Sequence, residues 1–271
     1  THTRLPKYID VFIFSQLNAI YAPDYQRFGS NLDLTEREIK KYLGTYFPRS
    51  YAESFCIFDN LFQNSEFRKI IRDTKNLNVL SVGCGTGGDI VGLITAIEKH
   101  FPFISEINIL AIDGSNEALV ILEQIMERVQ DQISKKVNLK TKRIVFRSIS
   151  EFIIDKDTCQ NFDFVLSSKF ICEIISMGNG ELDNSYFNFV MKFLPLLSKN
   201  GICLILDVTT KSKHNTYNPI LLNKQVNQAI RKLQKYCTLI PIPCSIYSEI
   251  CFSDCFQQKT FYVTHSKHSR D

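Results

Sequence analysis

The chain has 271 residues, 44% of them apolar, and 32 basic against 28 acidic side chains give a formal charge of +4. That is ample for one large core, or a core plus an appendage, and the charge excess is too small for a dedicated nucleic-acid binder. No apolar run is long enough to span a bilayer, the start lacks a signal-peptide pattern, and the nine irregularly spaced cysteines, with Cys56, Cys172 and Cys203 inside apolar runs, read as reduced core thiols, so a cytoplasmic setting without membrane partners is expected.

Residues 1–76 predict a helical module. The stretch from Leu5 to Tyr21 is apolar on nearly every turn. From Leu34 to Phe62 a second helical pattern opens with Thr35 and Glu38 at capping-box spacing, and Pro48 marks a break in it. Within this pattern stands the phrase YFPRSYAESF, Tyr46 to Phe55. Read by itself, it is an ordinary helix start with proline near the first turn.

Residues 77–271 predict an alternation of strands and helices. The most informative segment is VLSVGCGTGGDI, Val79 to Ile90. An apolar strand runs into glycines at 83, 85 and 87, and a helical period follows through Ile90, Val91, Leu93, Ile94 and Ile97. Such a turn exposes bare backbone beside a helix N-terminus and reads as a nucleoside pocket at the carboxyl edge of a parallel sheet. A phosphate-cradling loop would need Gly-Lys-Ser/Thr where Gly87-Gly88-Asp89 stands, and the dinucleotide fingerprint fits only loosely. The next strand, Ile107 to Asp113, ends in a carboxylate followed by Gly114 and Ser115, the place for a group that accepts ribose hydroxyls.

Beyond it, a helix opens near Ser115 with the stripe Ala118, Leu119, Leu122, Ile125, Met126, Val129 and Ile133. Strands are expected at Arg143–Arg147, at Phe162–Ser168 and over GICLILDV up to Asp207. Helices are expected around Asn184–Leu197 and Pro219–Lys235. KYCTLIPIP and KTFYVTH, Lys235–Pro243 and Lys259–His265, form a late hairpin. The expected fold is α/β, a doubly wound, seven-stranded, mostly parallel sheet.

The strand, the G-x-G-x-G turn and the acid at the second strand tip together resemble the class I S-adenosylmethionine-dependent methyltransferases, whose fold is Rossmann-like. The resemblance covers roughly residues 77–266 and implies S-adenosylmethionine as cofactor. It implies that Gly83, Cys84, Gly85 and Gly87 pass the methionine part, that Asp113 with Gly114 behind it binds ribose, and that Ser148 and Ile149 contact adenine. Ser81 stands where the family usually carries an acid. Ser168 sits at the tip of the fourth strand, where enzymes that methylate base amino groups carry Asn/Asp-Pro-Pro-Tyr/Phe. The missing prolines argue against that mechanism. Lys169 and Glu173 read as substrate contacts or as a surface ion pair. Methyl transfer needs a nucleophile held in line, and a base only if the nucleophile must lose a proton, so no catalytic constellation is required.

Two further pointers favour RNA, including ribosomal RNA, as acceptor. The Tyr46–Phe55 phrase is similar to the R-x-P-x-x-Y-A segment of methyltransferase-like factors of the small ribosomal subunit, which the resemblance would make a substrate-side module. Those proteins hold an iron–sulfur cluster in a late cysteine-rich insert, and here Cys244, Cys251 and Cys255, with Cys237 as the nearest fourth, lie in that region. Their spacing is not C-x-x-C, and Ser245 replaces the family's histidine, so no metal is expected. Lys211, Lys213, His214, Arg231, Lys232, Lys235, His265, Lys267, His268 and Arg270 would offer phosphate contacts if they shared a face. A solvated helix face and a chain end explain them equally. A small-molecule or protein acceptor, or a cofactor-binding assembly factor without turnover, are the alternatives.

Overall fold

The computed structural model describes residues 1–24, 31–71, 74–153, 155, 161–177, 184–209, 217–233, 237 and 260–268. In chain order these form β1 (His2–Arg4), α1 (Lys7–Val11), α2 (Glu36–Gln63), α3 (Ser65–Ile71), β2 (Asn76–Val82), α4 (Gly88–His100), β3 (Glu106–Asp113) and α5 (Asn116–Gln130). Then follow β4 (Lys136–Arg143), β5 (Phe162–Ser168), α6 (Ile171–Ser176), α7 (Ser185–Phe193), β6 (Leu197–Leu206), α8 (Asn218–Leu233) and β7 (Tyr262–Thr264).

Five parallel strands make the main sheet in the order β4-β3-β2-β5-β6. The inner strands are apolar on both faces because helices cover both. Their pleat divides the core in two. Val79, Ile107, Ile109 and Leu166 pack with α2, α4 and α5, whereas Leu80, Val82, Leu110 and Val165 pack with α6, α7 and α8. The strand order reverses at β2, which places the glycine turn at the switch point of a doubly wound fold.

Three expectations need correction. Among the described residues the main sheet has five strands rather than seven. The KYCTLIPIP strand lies outside the described residues apart from Cys237, and the KTFYVTH strand pairs in parallel with β1 instead, Val263 opposite Thr3. Phe14 and Tyr21 hold His265 beside this small ladder, with ring centroids 4.8 Å away in each case. The third strand of the main sheet is β4, not Arg143–Arg147, and it pairs with β3 from Lys136↔Glu106 to Arg143↔Asp113. An edge strand needs only partial burial, so its run of charges disguises it.

Pro48 does not break α2, which runs unbroken across it from the Thr35–Glu38 capping box. An interior proline costs a helix about 3 kcal/mol, and the apolar face of Leu43, Phe47, Tyr51, Phe58 and Phe62 buried in the core offsets it. This helix lies very close to α4. A Cβ on Gly88 would meet the Phe47 carbonyl oxygen at 2.5 Å, and one on Gly92 would meet that of Tyr51 at 2.7 Å. Glycines one turn apart therefore let the two backbones touch, and Ser54 Oγ seals the seam by donating to the Asp89 carbonyl at 2.6 Å.

Candidate functional site

The turn after β2 uses left-handed backbone at all three glycines, with φ of 70° at Gly83, 51° at Gly85 and 81° at Gly87. Its N–H groups are largely spent inside the protein. Gly83 and Cys84 donate to Ile112 O at 2.8 and 3.2 Å, and Gly87 donates to Cys84 O at 2.9 Å. Gly85 donates to Asp113 Oδ2 at 2.7 Å. A turn whose donors are already paired is a shaped wall, not an anion cradle. A Cβ at Gly83 would lie 2.3 Å from the Phe170 ring and one at Gly85 would lie 2.6 Å from Tyr42 Oη.

Asp113 ends β3 and is fixed at both oxygens, since Oδ1 accepts from Ser115 N–H at 2.9 Å. Burial pushes its pKa up, while the backbone N–H groups of Ser115, Gly85 and Gly114 pull it down. Asp89, in the first turn of α4, is buried too, and Ser81 Oγ donates to its Oδ2 at 2.9 Å. Burial raises its pKa to about 6 against that hydrogen bond. Ser81 thus reaches the site through Asp89, whose carboxyl group it orients. A carboxylate is favoured at this helix N-terminus.

Lys169 and Glu173 do not pair with each other. Lys169 forms an ion pair with Glu53 of α2. Glu173, in the first turn of α6, accepts from Asn31 Nδ2 at 2.8 Å. Burial first, and then the charges of Asp113 and Asp207, push its pKa to about 8.

These groups surround a cavity of about 340 Å³. Of the residues expected to bind cofactor, Gly83, Cys84, Gly85, Asp113, Gly114 and Ser168 line it. Ser81 stands behind Asp89, and Gly87 caps α4 against Leu122. Ser148 and Ile149 do not line it: Ser148 Oγ caps a 3₁₀ turn by accepting from Ser150 N–H at 3.2 Å, and Ile149 is buried in the second core. Because β4 ends at Arg143, the residues that reach the cavity after it are Ile144 and Phe146. Asp89, Glu173, Tyr42 and Tyr46 also line it. An acid directly behind a glycine-capped turn is the signal that points to Asp89.

The Tyr46–Phe55 phrase is interior helix, spent partly on the α4 seam. Cys244, Cys251, Cys255, Lys211, Lys213, His214, Lys235 and Arg270 lie outside the described residues. Among the described residues no group of three potential ligands could hold a metal, and no helix is long and apolar enough to cross a membrane.

No protein-family model matches the chain, and no curated protein matches it. Solved structures do. The plantazolicin methyltransferase BpumL in complex with SAH aligns at 16% identity over 84% of this chain and 74% of that one, with a TM-score of 0.41. The trans-methyltransferase CalH in complex with SAH aligns at 15% over 62% of this chain and 42% of its own, with a TM-score of 0.39. MNMC2 from Aquifex aeolicus aligns at 17% over 66% and 55%, with a TM-score of 0.37. The fold itself is α/β, with a five-stranded parallel sheet and an N-terminal helix packed on it. Likeness at this level carries nothing about chemistry, which rests on this chain's own residues.

Proposed function

We propose that the chain is a methyltransferase that binds S-adenosylmethionine in this cavity. One observation carries the reading: the glycine turn meets the carboxyl groups of Asp89 and Asp113, with Glu173 able to ionise when a cation enters, and the one basic residue of the described lining, Lys169, is neutralised by Glu53. That field repels the phosphates of a nucleotide and favours a sulfonium bearing an ammonium group. The residues fit such a ligand in a second respect, since Ser168 Oγ is buried at the cavity without a hydrogen-bond partner among the described residues.

Asp113 accepts the ribose hydroxyls, Asp89 takes the ammonium in place of the acid expected at Ser81, and Ile144 and Phe146 flank the adenine. The bound cofactor supplies an electrophilic methyl carbon. Residues 1–76 serve as the acceptor-side module, with Tyr42 and Tyr46 of α2 excluding water, and residues 77–271 form the cofactor domain. An RNA acceptor draws no support from the described lining, whose charge is acidic.

Thermal melting tests the reading. A ligand at a hundredfold excess over Kd adds about 2.7 kcal/mol, or several degrees in Tm for a domain of this size. S-adenosylmethionine and S-adenosylhomocysteine are expected to give that shift. A melt moved by NAD or ATP and unmoved by either would refute the proposal.

A further inference from the structure

We propose that Glu173 takes the proton the methyl acceptor must lose, and that the acceptor is an aliphatic amine entering as its ammonium ion. This rests on the cofactor reading above. Three carboxyl groups line the cavity, and the reading above assigns two of them, Asp113 and Asp89, to the cofactor. Asp113 is held by Gly85 and Ser115 N–H groups, and Asp89 by Ser81 Oγ. Glu173 has a single donor, Asn31 Nδ2 on Oε1, and its other oxygen accepts no hydrogen bond among the described residues. It is the carboxyl group of the described lining that the cofactor reading leaves for the acceptor.

The groups around Glu173 decide what it can serve. Asp113 faces it from the end of β3 and Asp207 from beyond β6, and both disfavour its ionised form. Tyr42 of α2 and Cys172 of its own helix are held protonated by burial. Lys169 is committed to Glu53, and Asp207 to Tyr186 Oη at 2.8 Å and Cys172 N–H at 2.9 Å. Glu173 therefore keeps its proton near neutrality, with a pKa of about 8, until a cation enters. An ammonium ion beside a sulfonium supplies that cation, and the exocyclic amino group of a nucleobase, uncharged at this pH, does not. Ile174 and Met177 add apolar wall for the amine's carbon skeleton.

The step balances. The ammonium N–H proton passes to the Glu173 carboxylate, and the nitrogen lone pair forms a bond to the methyl carbon. The C–S bond breaks with its electron pair going to sulfur. The products are a methylated ammonium, a neutral thioether and protonated Glu173, which returns its proton to solvent as the next cations bind. An ammonium ion has no lone pair, so without this transfer it is inert.

Calorimetry with two cofactor analogues tests the assignment without an acceptor. Sinefungin carries a protonated amine where the cofactor carries its reacting methyl, and S-adenosylhomocysteine carries nothing there. At pH 7, in buffers of different ionisation enthalpy, the wild type should bind sinefungin about tenfold tighter and release about one proton with it. S-adenosylhomocysteine should release none. Glu173→Gln should abolish the preference and the proton release while keeping S-adenosylhomocysteine affinity within about threefold of the wild type. The release is read on the wild type, so it does not depend on the variant folding. Equal affinities without proton release overturn the Glu173 assignment and leave the cofactor reading standing. Failure of the folded protein to bind either analogue removes the cofactor reading, and this inference with it.

Discussion

Replacing Asp113 with asparagine keeps the side-chain shape and changes only what it can accept. Both carboxylate oxygens are in use, Oδ2 by Gly85 N–H at 2.7 Å and Oδ1 by Ser115 N–H at 2.9 Å. Asparagine has one oxygen, so in either amide orientation one of these donors faces an NH₂ group. A buried donor left unmade costs about 1–3 kcal/mol, which lowers Tm by roughly 2–4 °C per kcal/mol in a domain of this size. The same carboxylate is assigned the ribose hydroxyls. Its loss should weaken S-adenosylhomocysteine by about 1.5–3 kcal/mol, roughly tenfold to more than a hundredfold. Isothermal titration of Asp113→Asn and of Ser148→Ala, which lies off the cavity, measures this directly. The serine variant should bind like the wild type. If the asparagine variant melts lower and yet binds unchanged, Asp113 only staples the glycine turn, and the ribose is misplaced.

The helix seam predicts that Gly92→Leu lowers the urea midpoint by about 1–3 kcal/mol of stability, because a Cβ there would stand 2.7 Å from Tyr51 O and 2.8 Å from Phe55 N; an unchanged midpoint would contradict the close approach. Glu173, raised to about 8, binds a proton in the folded state that the unfolded chain has released, so its contribution is present at low pH and lost as pH rises. Below pH 6.5, His265, held down to about 4, acts in the opposite sense, which leaves pH 6.5–8 as the clean window. There stability should fall by up to about 1.4 kcal/mol per pH unit, and Glu173→Gln should flatten the slope; a rise over that window would count against the burial. Protein purified without oxygen is expected to be colourless, and brown protein whose iron is lost on Cys251→Ser would overturn that expectation.

The inner strands are legible in the sequence because burial on both faces makes them largely apolar runs, two of which end at a glycine turn or an acid. β4 is less so. As an edge strand with Lys136, Lys140, Lys142 and Arg143, it reads like a loop, and moving it downstream shifts the expected lining from Ile144 and Phe146 to Ser148 and Ile149. Position 81 shows a different limit. A motif read by spacing registers a missing acid, whereas folding brings Asp89 against Ser81 through a hydrogen bond that linear order does not display. Glu173 was visible as a charged residue near Lys169, but its partner Asn31 lies far away in the chain, as does Glu53, which claims the lysine. Pro48 misleads for a related reason: local propensity argues for a break, and the burial that overrides it comes chiefly from α4, distant in the chain.

The glycine seam between α2 and α4 also bears on how this protein could diverge. Tyr42 and Tyr46 sit on the same helix that Gly88 and Gly92 hold down, Tyr46 directly before the Phe47 contact and Tyr42 one turn earlier. A methyl group added at position 92 must push that helix outward, and the tyrosines travel with it. The depth of the cavity beside the tyrosines is therefore heritable through a residue that lies off its lining. Small changes at Gly92, compensated on the Ser50–Ser54 side, would give lineages a dial for cavity size that leaves the glycine turn and its carboxyl groups as they are.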